Sequence, residues 1–95
     1  MRVHELKTWP EPFEAIRSGR KLFELRADDR GFAVGDVLKL YEWDPSPAGE
    51  GFAKTVKGYT GRGLRAEVTY VLHGGRFGLP EGMCIMSLDK VTGLL

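Results

Sequence analysis

The sequence predicts an α+β domain, a small β-barrel of about five short strands with one short helix near the N-terminus. Three observations predict it. Apolar and polar residues alternate with a period of two in several short runs. A single segment, after Trp9, carries helix signals instead, and turns rich in glycine or proline separate the runs. So few strands would leave exposed edges in an open sheet, and closure into a barrel is the economical arrangement.

The residues from Val3 to Thr8 read as a strand with β-branched ends. Trp9-Pro10-Glu11-Pro12 is poor strand and good helix start, because proline fits the first helical turn. Phe13 and Ile16 lie three apart on one face, Glu11 and Glu14 sit near the positive helix end, and Gly19 supplies the stop. From Lys21 to Ala27 the pattern alternates as a half-buried strand, with Phe23 and Leu25 on one face and Glu24 and Arg26 on the other. Asp28-Asp29-Arg30-Gly31 and Val34-Gly35-Asp36 are turns that lead into a strand from Val37 to Trp43, where Leu38 and Leu40 oppose Val37, Lys39 and Tyr41. Asp44 to Gly61 has no period and reads as a long loop, with Pro45 to Gly58 expected to be more mobile than the strands. Leu64, Ala66, Val68, Tyr70 and Leu72 then alternate with Arg65, Glu67, Thr69 and Val71 in the clearest strand of the chain. A Gly-rich stretch from His73 to Gly82 precedes a short, buried closing strand from Met83 to Leu88.

A length of 95 residues with 42% hydrophobic side chains suits one core, so residues 1–95 are read as one domain. No apolar run is long enough to span a bilayer and the start of the chain lacks the apolar stretch of a signal peptide, which makes the cytoplasm the expected compartment and excludes a membrane partner. Cys84, the lone cysteine, is read as a small buried thiol. With one cysteine and two histidines, no metal site is expected, and nothing in the sequence calls for a cofactor. A net charge of +1 gives no bulk attraction to polyanions, so any nucleic-acid binding must be local.

One constellation carries chemical information. Gly19-Arg20-Lys21-Leu22-Phe23-Glu24-Leu25-Arg26 fits the pattern G-x-K-x-x-E-x-R, for which a chance match in this composition is roughly one in 200. It resembles the hallmark of ASCH domains, a branch of the PUA-like β-barrels. The surrounding text is similar to a small ASCH-like family of uncharacterised bacterial and phage proteins. The features shared with it are the strand His4 to Lys7, Pro and Phe on the helix, Asp29-Arg30, Val34-Gly35-Asp36 and Tyr59-Thr60-Gly61-Arg62, over about Val3 to Leu88. The resemblance implies a PUA-like barrel that binds RNA or a nucleotide.

Glu24 and Arg26 share a strand face, whereas Lys21 is an odd number of residues away and joins them only from an irregular strand start. A lysine and an arginine flanking a carboxylate can hold phosphate and orient a base edge. Spacing alone favours a surface ion pair, which is energetically minor; the resemblance reverses the reading towards a ligand-binding site of Lys21, Glu24 and Arg26. His4 is added as a candidate, with a structural role as its alternative. Trp43 and Tyr59 are candidates for stacking on a base, with core packing as the competing role for Trp43. Thr60 and Arg62 are candidates for anion contact, in a local basic cluster with Arg65, Lys54 and Lys57 that solubility alone would also explain.

Three function classes follow. The leading one is an RNA- or nucleotide-binding module. The second is a small hydrolase acting on a modified nucleoside or RNA, because some small ASCH proteins deacylate acetylated cytidine with a Lys, a Thr nucleophile and a Glu. Lys21 and Glu24 are then the catalytic candidates, but Glu24 stands where the nucleophilic Thr falls, and a carboxylate is a poor substitute for it. The third is an adaptor with a protein partner, which an exposed apolar patch around the long loop would favour.

Overall fold

The computed structural model describes residues 1–45 and 58–94. The elements run β1 (Val3–Thr8), α1 (Pro10–Arg17), β2 (Phe23–Ala27), β3 (Val37–Trp43), β4 (Tyr59–His73) and β5 (Met83–Leu94). The strands form one sheet in the order β1-β3-β4-β5-β2, with β1 parallel to β3 and every other pair antiparallel. The element order is the expected one. The sheet curls into a half-barrel whose ends are β1 and β2, a small β-barrel-like α+β fold as expected. No helix among the described residues is long and apolar enough to cross a membrane.

Helix α1 starts without a side-chain cap. Pro10 and Pro12 have no N–H, so two of the donors that a first turn leaves unpaired are absent. Phe13 and Ile16 are fully buried and join Leu38, Leu40, Leu64, Ala66, Val68, Cys84 and Met86 in one core cluster; full burial of a side chain of this size contributes about 1.5–3 kcal/mol. The helix ends as Gly19, at φ +82°, bonds its N–H to the Ile16 carbonyl at 3.0 Å. The chain then doubles back, and the Lys21 N–H reaches the Ala15 carbonyl at 2.9 Å.

Several boundaries differ from expectation for local reasons. β2 starts at Phe23, because Lys21 is still tied to the helix. β4 starts at Tyr59, so Tyr59, Thr60 and Gly61 belong to a strand and not to the loop; Trp43 pairs with Tyr59 across a bulge. β5 continues to Leu94, past Leu88, through an irregularity where Lys90 adopts φ +52°. A second shift, between Val68 and Tyr70, turns Tyr70 outward and Val71 towards the core, breaking the alternation expected for that strand. Apart from its two end residues, the stretch Pro45 to Gly58 lies outside the described residues, as do Lys54 and Lys57.

The faces of β2 separate as the alternation requires, but the buried one is charged. Glu24 is buried and Arg26 half-buried, while Phe23 and Leu25 are exposed.

Candidate functional site

β1 and β2, the two ends of the sheet, face each other across a seam bridged by arginine side chains. In β1 the carbonyls of Glu5 and Lys7 point away from β3, since alternate residues of a strand bond to opposite sides. Arg26 Nη2 donates to the Lys7 carbonyl at 2.7 Å, and Arg30 Nη1 to the Glu5 carbonyl at 3.1 Å. The Arg2 guanidinium reaches back to the carbonyls of Arg30 and Gly31. These bonds satisfy an edge that would otherwise expose unpaired carbonyls.

The motif lies at this seam. Glu24, 4% exposed, accepts from Lys21 Nζ at 2.9 Å through Oε1 and from Arg26 Nε at 2.6 Å through Oε2. Lys21 reaches it from the loop before β2, as its odd spacing requires, and also donates to the Phe23 carbonyl at 2.9 Å. Arg26 Nη2 further donates to Thr8 Oγ1 at 3.3 Å. One buried carboxylate thus holds two partly exposed cations. Beside it opens a cleft of about 330 Å³, lined by Lys7, Thr8, Trp9, Pro12, Lys21, Glu24, Leu25 and Arg26. Trp9 is exposed on its rim and stands edge-on to Trp43, with ring centroids 5.7 Å apart. Lys7 Nζ sits 4.1 Å above the Trp43 ring.

A second buried carboxylate, Glu42, pairs on β3 with Thr8 of β1. Arg62 binds it in a fork, Nε to Oε1 at 2.8 Å and Nη2 to Oε2 at 3.0 Å, while the Thr60 hydroxyl donates to Oε1 at 2.7 Å. The Arg62 guanidinium holds the Glu42 carboxyl below the usual carboxylate range; burial opposes this and the Thr60 bond assists it. Arg62 also approaches Glu14 at 3.6 Å and lies 4.9 Å over the Phe13 ring, which ties α1 to β4. Thr60 and Arg62 are therefore committed to a carboxylate of their own chain. Tyr59 lines a separate cleft of about 390 Å³ with Tyr41, Glu42, Gly61 and Arg62.

His4 faces inward on β1 but meets a different partner. Its Nε2 lies 2.8 Å from Asp36 Oδ2 and its ring packs on Phe32 at 4.6 Å, both His4 and Asp36 being buried. Burial works to raise the Asp36 pKa, yet hydrogen bonds from His4 and from the backbone N–H groups of Arg2 and Ala33 bring it below the usual value. His4 is not among the residues lining the motif cleft.

Residues 3–88 match the family model described as "Domain of unknown function (DUF3850)". The chain belongs to the DUF3850 family. An "Uncharacterized 12.9 kDa protein in GpA 3'region" of Escherichia phage P2 is 34% identical over 71 residues, which cover 74% of this chain and 54% of the phage protein. The chain thus spans about half the length of that curated relative. All eight residues of the motif cleft fall inside the DUF3850 match.

Of the candidates read from sequence, the structure brings Lys21, Glu24 and Arg26 together, with Trp43 one ring removed. Thr60 and Arg62 form their own group, and His4 a third. Sequence reading missed Thr8, Trp9, Glu42 and Asp36. Trp9 reads as a helix start by its prolines, and a glutamate at an inward strand position signals its role only through that inward phase.

Thr8 offers a hydroxyl, but its neighbour is the Arg26 guanidinium, which cannot accept a proton. Both oxygens of Glu24 are engaged by cations, which opposes a role as general base.

Proposed function

We propose that this DUF3850 chain is an ASCH-like, PUA-like module that binds RNA or a nucleotide in the motif cleft. The observation that carries it is the buried Glu24 holding Lys21 and Arg26 at a cleft whose rim bears an exposed tryptophan. The carboxylate orients the two cations and takes part of their charge; with Lys7 the lining keeps a net positive charge, suited to a phosphate. Trp9 supplies a π-face for the base. The G-x-K-x-x-E-x-R match supports the same reading independently of the geometry.

Titration of mononucleotides and short single-stranded RNA followed by amide chemical shifts tests it. Shifts should cluster at Lys7, Trp9, Lys21 and Arg26, and Lys21→Ala should weaken binding. Shifts that avoid the cleft, or affinity unchanged in Lys21→Ala, would refute the proposal. The hydrolase alternative is separated by incubating the protein with acetylated cytidine, which should stay intact; deacylation lost in Lys21→Ala would make the chain an enzyme instead.

A further inference from the structure

Antiparallel strands bond through every second residue, and the residues between turn their N–H and C=O to the opposite edge. In the pair of β2 and β5 this phase is fixed at both ends. The Leu88 N–H bonds to the Leu22 carbonyl at 3.0 Å, and the Asp28 N–H to the Gly82 carbonyl at 2.8 Å. Leu22, Glu24, Arg26 and Asp28 therefore bond towards β5, while Phe23, Leu25 and Ala27 turn their main chain into the seam opposite β1. The Phe23 carbonyl, free of β5, accepts from Lys21 Nζ at 2.9 Å. β2 ends the sheet, so no strand takes up the N–H and C=O of Leu25, and among the described residues no loop or side chain bonds to them. Leu25 lines the motif cleft between Glu24 and Arg26. Its side chain stands half-exposed on the outer face of β2, so the part of it turned to the seam is its main chain.

We infer that the main-chain N–H and C=O of Leu25 read the edge of a nucleobase held in the motif cleft. This rests on the nucleotide binding proposed above and names the feature of the ligand that the cleft selects. That feature is a donor next to an acceptor, as N6–H2 stands next to N7 in adenine, met by one main-chain acceptor and one main-chain donor. In an extended strand the N–H and C=O of one residue lie side by side and point the same way, so a single planar edge engages both. An extended peptide is the other natural partner of a strand edge, but it needs a run of alternate residues. Here the run is interrupted. The Phe23 carbonyl is taken by Lys21, and the Arg26 and Arg30 side chains cross the seam to the carbonyls of Lys7 and Glu5. One residue's pair is left, which matches a base edge and not a strand. The base must be unpaired, because pairing uses one such edge and the narrow major groove of an RNA duplex hides the other.

Amide exchange in the full chain tests it, with nucleoside monophosphates and ribose phosphate as probes. The Leu25 amide should exchange readily in the free chain and slow about tenfold or more at saturation with the tightest-binding nucleotide. It should stay fast with ribose phosphate, which carries the phosphate and no base. Leu25→Pro removes the N–H; an end strand tolerates proline where the N–H faces away from the sheet, and circular dichroism verifies that the variant folds. It should lower the preference for nucleotide over ribose phosphate by about threefold to tenfold, the contribution of one hydrogen bond. Nucleotide bound in the cleft, seen as shifts at Lys21 and Arg26, with the Leu25 amide still fast, overturns the inference and leaves nucleotide binding standing. A folded Leu25→Pro with the parent's preference overturns it in the same way. A chain that binds no nucleotide overturns the proposed function, and base reading with it. Protection of Leu25 by an extended peptide alone assigns the edge to strand addition and overturns base reading as well.

Discussion

Arg26 binds Glu24 through Nε at 2.6 Å and, through Nη2 of the same guanidinium, the carbonyl of Lys7 at 2.7 Å. One side chain therefore neutralises the buried acid of the motif and joins β2 to β1 where the backbone ladder stops. Arg26→Ala removes both functions, leaving Glu24 buried with Lys21 alone. Loss of one partner of a buried pair costs about 3–5 kcal/mol, and the partial exposure of Arg26 places the expected loss near the lower figure, about 3 kcal/mol. Arg26→Lys restores the charge without the fork and should recover only part of it. Urea denaturation measures this; a loss below about 1 kcal/mol would show the seam to be energetically unimportant.

Arg62 serves as the control for this reasoning, because it forks on Glu42 of β3 and reaches Glu14 of α1, and does not line the motif cleft. Arg62→Ala should destabilise the chain by about 2–3 kcal/mol, the half-exposed guanidinium reducing the full cost of an orphaned acid. Nucleotide affinity of the folded fraction should be unchanged. Lost affinity at full folding would return Arg62 to the ligand.

Asp36 gives the fold an acid-sensitive joint. Because its pKa is held below the usual value in the folded chain, the unfolded chain binds more protons as pH falls, and stability declines with it. The contribution is complete above about pH 4, the ordinary aspartate range, and is lost as pH drops through the folded value. Glu42 acts in the same direction. In Asp36→Asn the fall of unfolding free energy below about pH 4 should be shallower than in the parent. An identical acid limb would assign acid sensitivity to other carboxylates.

The element order was legible because each strand carries its own two-residue period and each turn its glycine or acid. The side of β2 that faces the core was not. Phe23 and Leu25 are apolar and Glu24 and Arg26 charged, so transfer energies favour the opposite burial, and only partners remote in sequence make the inverted choice stable. The same limit hid Trp9. Its place on the cleft rim depends on how α1 crosses the mouth of the half-barrel, which no local pattern encodes. Tyr59 and Thr60 carry a loop signal, because glycines surround them, yet Tyr59 pairs with Trp43 and both residues lie in β4.

The same geometry sets the expected electrostatics of RNA binding. Of the local basic set, Arg62 is bound to Glu42 and Arg65 lies 3.5 Å from Glu67, so neither is free to neutralise a phosphate without giving up its acid. Lys21, Arg26 and Lys7 remain around the cleft. Glu24 offsets one of these charges, which leaves about two phosphate contacts and, at about −0.7 per contact for a single strand, a slope of logarithmic affinity on logarithmic salt near −1.4. Lys21→Ala should flatten that slope by about 0.7. On the proposed reading stacking should supply much of the remaining affinity, and Trp9→Ala should cost about 1–3 kcal/mol for a short single strand and much less for a duplex, whose bases are not free to stack on it. Trp43→Ala should act more weakly, through the edge contact that positions Trp9. Titrating a short single-stranded RNA and a duplex at several salt concentrations, with parent, Lys21→Ala and Trp9→Ala, reads all of these together. A slope steeper than about −3, or preference for duplex, would require more cations than this cleft presents and would place the contact on another surface.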